Sequence, residues 1–157
     1  MNISTPNRVR HSYCQQLIGK PAAVMPLLCP VRECDWAVGW ELGAVHSHSG
    51  LVEPGCVFVT PGQPSDAIWY VTQHDPVSLQ VEMIKITPEH SACRLNIQLE
   101  ADGANGTRAT ISYEITSLGE TGDAFVSEFD QDAWLAFMRA WENELNHYLE
   151  TGEKLAA

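Results

Sequence analysis

Apolar and polar residues alternate from about Trp40 to Ser117, after which the apolar positions take up helical spacing. The alternation is cleanest over residues 91–101 and 107–117. In the first, Leu95, Ile97 and Leu99 alternate with Arg94, Asn96, Gln98 and Glu100; in the second, Ala109, Ile111, Tyr113 and Ile115 alternate with Thr110, Ser112, Glu114 and Thr116. Each of these strands has one dry face and one wet face. Further strands are expected over residues 40–49, 56–60, 67–74 and 77–87. They are separated by turn signals at Glu53-Pro54-Gly55, Pro61-Gly62-Gln63-Pro64, Asp75-Pro76, Pro88-Glu89, and Asp102-Gly103 with Asn105-Gly106. Within 77–87, Val81 and Met83 take one phase and Ile84 and Ile86 the other, so the pattern leaves that strand's orientation open. Residues 8–17 read as a first strand, stopped at Gly19-Lys20-Pro21. A short helix follows over 22–29 with Pro21 in its first turn, and after Pro30 comes a second short helical turn over 31–36.

The helical spacing belongs to the region from Asp123 to Gly152. At 100° per residue, Trp134, Phe137, Met138, Trp141, Leu145, Tyr148 and Leu149 fall within an arc of about 120°, a stripe that must be covered. Only the dry face of the sheet is large enough to cover it. Phe125 and Phe129 lie off the stripe, and Asp130 is a good N-cap residue, so a kink or fresh start is expected there. Gly152 suits the C-terminal cap. Beside such a break, Phe125 and Phe129 are placed to gate an entrance, or else to tuck a helix end against neighbouring loops.

Composition narrows the function. A net charge of -11, from 20 acidic and 9 basic residues, opposes binding to nucleic acid phosphates or to an anionic membrane surface. The N-terminal residues lack the apolar core of a secretory signal, and no run of about 18 apolar residues could insert into a membrane. A soluble, cytoplasmic protein with one domain over residues 1–157 is expected. Cys14, Cys29, Cys34, Cys56 and Cys93 show no CxxC spacing, which points to reduced, mostly buried thiols.

Candidate chemistry is sparse. His46 and His48 form an H-x-H that puts two imidazoles on one face of a strand, but a third ligand is missing locally, so no metal is assigned. The phosphate-cradling glycine loops and the G-x-S-x-G elbow are absent, and no cofactor is implied. Proton transfer in an enclosed site would have to use Tyr70, Tyr113, Glu82, Arg94, His46 or His48. Of these, only Tyr113 shares a phase with clearly apolar neighbours. It is the one candidate catalytic residue, although a buried tyrosine more often orients a partner by hydrogen bonding. The aromatic residues Phe58, Trp69, Tyr113, Trp134, Phe137 and Trp141 fit either a filled core or the lining of a pocket.

The element order and several motifs resemble the helix-grip fold of the START-like, or SRPBCC, superfamily. The likeness is carried by Pro30-Val31-Arg32-Glu33-Cys34-Asp35-Trp36 leading to Gly39-Trp40 and Gly50, by Gly55-Cys56-Val57-Phe58, and by Trp69-Tyr70-Val71-Thr72. It continues in Leu99-Glu100-Ala101-Asp102-Gly103, Gly106-Thr107-Arg108-Ala109-Thr110, Phe137-Met138-Arg139-Ala140-Trp141-Glu142 and Leu145-Asn146-His147-Tyr148-Leu149. It spans nearly the whole chain and looks similar to a bacterial branch of the superfamily, which includes polyketide cyclase and dehydrase-like proteins, lipid-transfer domains and the birch pollen allergen. The resemblance implies an α+β fold with a strongly curved antiparallel sheet of about seven strands, two short helices after strand 1 and one long C-terminal helix. It also implies a cavity between sheet and helix for a small apolar or amphipathic ligand. Candidate lining residues are then Phe58, Trp69, Val71, Met83, Ile97, Tyr113, Phe125, Phe129, Trp134, Phe137, Met138 and Trp141. Three functions stay open: a binder of a hydrophobic or aromatic molecule, a cyclase, aromatase or dehydratase using the same cavity, and a protein-interaction module like the Hsp90-activating members. Exposed strand edges leave room for a homodimer without specifying its interface.

Overall fold

In the computed structural model, which describes residues 1–157, the alternating region folds into one antiparallel sheet. Its strands are β1 (Arg8–Leu17), β2 (Ala44–His46), β3 (Val57–Thr60), β4 (Ala67–Asp75), β5 (Gln80–Thr87), β6 (Ser91–Asp102) and β7 (Gly106–Ser117), in the spatial order β1-β7-β6-β5-β4-β3-β2. Strands β2 to β7 form a meander, and β1 pairs with its last member, from Arg8↔Thr116 to Leu17↔Thr107. The inward positions meet across strands as Leu95↔Tyr113, Ile97↔Ile111 and Leu99↔Ala109, which builds one continuous apolar face. The phase of β5 is now fixed: Val81 and Met83 are buried on that face, while Ile84 and Ile86 turn outward opposite Tyr70 and Ile68.

The expected strand over 40–49 is reduced to three residues, and local chemistry explains why. Gly39 takes a left-handed conformation at φ 73°, and the Trp40 indole donates to the Pro30 carbonyl at 2.8 Å, drawing that segment off the sheet. After His46 the chain closes on itself. The Ser47 hydroxyl donates to the Leu51 carbonyl, and the Glu53 carboxylate accepts the amides of His48 and Ser49, so side chains replace ladder partners. The single helix expected over 22–29 is also divided, into α1 (Pro21–Val24) and a 3-10 turn (Met25–Leu28), because Pro26 lacks the amide needed to continue the ladder. The next helix, α2 (Pro30–Trp36), starts on its proline and buries Trp36.

Helical structure resumes as α3 (Glu120–Glu128) and α4 (Gln131–Thr151). The break lies where Asp130 caps the second helix, its Oδ1 accepting the Ala133 amide at 3.0 Å; Gly152 ends that helix in the left-handed conformation. Along α4, Trp134, Met138 and Leu145 are fully buried against the sheet, Trp141, Tyr148 and Leu149 are half-buried, and Phe137 is 42% exposed. The polar flank of α4 runs beside β1. Glu142 accepts the Gln16 amide at 2.8 Å and the Tyr13 hydroxyl at 2.9 Å. Asn146 accepts the Ile18 amide at 3.0 Å and donates to the Gln16 carbonyl at 2.9 Å. No helix is long and apolar enough to cross a membrane. The five thiols are free. Cys29, Cys56 and Cys93 are buried, as expected for most of the thiols, whereas Cys14 and Cys34 are exposed.

Candidate ligand-binding cavity

A cavity of about 280 Å³ lies between the apolar face of the sheet, α4 and the segment that leaves α2. Each strand from β3 to β7 contributes one inward side chain to its wall: Phe58, Trp69, Met83, Leu95 and Tyr113. Opposite them stand Trp36 and Trp40 on one side and Phe137 and Trp141 of α4 on the other. Ring packing makes these walls stiff. Phe58 and Trp69 are stacked with centroids 5.2 Å apart, Trp36 and Trp141 are nearly parallel at 6.2 Å, and Trp40 meets both Phe58 and Trp69 edge-on. The Val38 amide donates to Glu144 Oε2 at 2.9 Å, tying the loop after α2 to α4 beside half-exposed Phe137.

Polar groups in this wall are few, and several lack a protein partner. Four of the five indole N–H groups are satisfied: Trp36 by the Leu27 carbonyl, Trp40 by that of Pro30, Trp69 by the Thr60 hydroxyl and Trp134 by the Ser12 carbonyl. The fifth, on Trp141, is buried without a partner, a condition shared only by Ser65 Oγ and His74 Nε2. Burial without a partner is costly and rare. Glu33 reaches the cavity because it lies three residues before Trp36 on α2, hence on the same helix face, whereas Arg32 and Asp35 pair with each other at 2.6 Å. Its carboxyl accepts no hydrogen bond from the protein, and burial pushes its pKa up to about 8. Glu33 keeps some accessible surface, which fits a group that faces an opening while protein atoms crowd it elsewhere. Burial likewise holds the Tyr113 hydroxyl well above its ordinary value, with lesser contributions from Cys93 and Glu33.

Six of the twelve residues expected to line a pocket do so: Phe58, Trp69, Met83, Tyr113, Phe137 and Trp141. Val71, Ile97, Trp134 and Met138 are buried in the core behind it. Phe125 and Phe129 stack on each other at 5.4 Å and pack around Cys93, Ile115 and Val126, and neither is part of the cavity wall. Of the other polar candidates, Tyr70 is half-exposed on the outer face, His46 and His48 are exposed, and Arg94 pairs with Glu82 at 2.9 Å. No three His, Cys, Asp or Glu side chains gather into a metal site. Glu33 was visible to sequence reasoning only as part of a fold motif. The signal that could have singled it out is its i,i+3 spacing to Trp36 on a helix too short for periodicity to stand out.

A wider groove of about 730 Å³ lies on the surface between α1, Leu51-Val52 and the β4–β5 turn. It is more open, and among the partnerless groups it holds only His74, so the smaller, aromatic-walled cavity is the better candidate.

No family model and no curated protein matches the chain. Solved structures do match in fold. Norcoclaurine synthase from Thalictrum flavum aligns with a TM-score of 0.68 at 10% identity, over 96% of this chain and 98% of that one. Ara h 8.0201 aligns with a TM-score of 0.61 at 13% identity, over 88% and 98%. DynU16, from the dynemicin biosynthetic locus, aligns with a TM-score of 0.56 at 18% identity, over 94% of this chain and 48% of that one.

Proposed function

Starting from the helix-grip fold of the START-like superfamily, which this chain has, we propose that it binds one compact hydrophobic or aromatic molecule between its sheet and α4. The observation that carries this reading is an aromatic-walled cavity in which Glu33 and Tyr113 face the open space without protein hydrogen-bond partners. Its volume, about 280 Å³, suits a ligand of one or two rings rather than a long acyl chain. Affinity would come from apolar burial against the tryptophans, and orientation from the polar groups.

A second reading, an enzyme of cyclase, aromatase or dehydratase type, is favoured by one feature. A carboxyl whose pKa is raised to about 8 shares the cavity with Tyr113, an arrangement able to move a proton near neutral pH. The open cavity gives less support to an interaction module that would leave the interior closed. Native mass spectrometry of the protein purified from its own host tests the proposal. A retained adduct of one or two rings is expected, with quenching of tryptophan fluorescence when it is added back. Absence of any adduct, together with unchanged emission on adding indole or naphthalene, would sink it.

A further inference from the structure

The titratable side chains around the cavity are all acids. Glu33 and Glu144 both line it, and no lysine, arginine or histidine does. The cations nearby are engaged elsewhere. Arg32 pairs with Asp35 on the far face of α2, Lys154 donates to the Cys34 carbonyl at 3.2 Å, and Lys85 lies over the Trp69 ring at 5.0 Å from its centroid. Glu144 is already held by the Val38 amide. Glu33 is not held by any hydrogen bond or ion pair, and it shares the cavity wall with tryptophan and phenylalanine rings, whose faces attract positive charge.

We infer that Glu33 makes this cavity selective for a compact aromatic molecule carrying a protonated amine, the ammonium seated on its carboxylate and the ring held by the tryptophan walls. The inference rests on the small-molecule reading above and adds the charge of the ligand to it. Anionic ligands such as free carboxylates would find no cationic side chain in this wall to pair with, so the cavity disfavours them.

The proton balance follows from the same geometry. In the empty cavity Glu33 holds its proton up to about pH 8. When an ammonium ligand binds below that pH, the carboxyl proton leaves to solvent and the ammonium N–H donates to the carboxylate that remains. Tyr113 from β7 and Glu144 from α4 are the other titratable groups facing the site. Tyr113 stays protonated throughout this range, and Cys34 and Asp35 on α2 do not line the cavity. Amine affinity should therefore rise roughly ten-fold per pH unit up to about pH 8 and level off above it.

Calorimetric titration of the full chain with three molecules of one ring system, tryptamine, indole and indole-3-acetate, tests this. At pH 7 tryptamine should bind about ten-fold or more tighter than indole, with indole-3-acetate weakest, and tryptamine binding should release nearly one proton to the buffer. Glu33→Gln should keep the affinity for indole, lose the advantage of tryptamine and abolish its pH dependence. Glu150→Gln, which removes an exposed carboxylate of α4 outside the cavity wall, should keep the preference and its pH dependence. Should Glu33→Gln fail to fold, proton release by the unaltered protein at pH 6 and pH 9 still decides, since release must vanish at the higher pH. Equal binding of tryptamine and indole by the unaltered protein would overturn the amine inference and leave the cavity reading standing. A preference that survives Glu33→Gln would overturn the assignment to Glu33. Failure of all three to bind would overturn both readings.

Discussion

Replacing Glu33 by glutamine should stabilise the folded protein by an amount that grows with pH. The carboxyl titrates at its ordinary value near 4.5 when the chain is unfolded and at about 8 when it is folded. Below the lower value both states hold the proton and the site adds no pH-dependent cost. Between the two, the unfolded chain ionises while the folded one keeps the proton, so stability falls as pH rises; above about 8 both are ionised and the penalty stays constant. From pH 5 to pH 8 this linkage amounts to at most about 3.5 kcal/mol. Water entering the cavity mouth screens part of it, so a difference of about 1–2 kcal/mol is expected. Urea unfolding of both proteins at the two pH values isolates the effect, because every other titrating group is common to the pair. A Glu33→Gln difference that stays constant within about 0.5 kcal/mol between pH 5 and pH 8 would show that the carboxyl is well solvated, and would remove the premise for its role in the cavity.

Two other substitutions test the packing that shapes the site. Trp134→Ala removes a fully buried ring that stacks on His11 at 5.4 Å and donates to the Ser12 carbonyl; it should cost about 3–5 kcal/mol in urea unfolding, and a loss under about 1 kcal/mol would contradict its place in the core. Gly122→Ala would drive a methyl group into the His90 carbonyl oxygen, so α3 must shift away from the β5–β6 turn. A loss of about 1–3 kcal/mol, with faster amide exchange in α3 than in α4, is expected, and unchanged exchange would refute that close approach.

The long strands were legible because burial imposes a strict period of two: β6 and β7 lie where Leu95, Ile97, Leu99, Ala109, Ile111 and Ile115 place them. The break at Asp130 was legible from its capping side chain and from the two phenylalanines out of phase with the stripe. The region around β2 was misread because Leu42 and Val45 mimic a strand, while the bonds that replace the ladder come from Ser47 and Glu53, whose partners no periodicity encodes. Four of the expected lining residues are core instead, and Phe125 and Phe129 pack in a separate cluster. On a helix stripe or a strand face, alternation reports which side is dry, but not whether the dry side meets a neighbour or an empty space. Glu33 was passed over for a related reason, since a carboxylate in a short helix between Arg32 and Asp35 reads as part of a solvated face.

The hydrogen bonds from Glu142 and Asn146 to β1 bear on how this protein can associate. β1 is an outer strand, and its outward amides and carbonyls would ordinarily accept another chain as an added strand. At Gln16 and Ile18 the side chains of α4 already occupy those groups, so the helix acts there as a plug against sheet extension. A second copy would have to unseat α4, and with it the wall of the cavity, before it could continue the sheet past that end of β1.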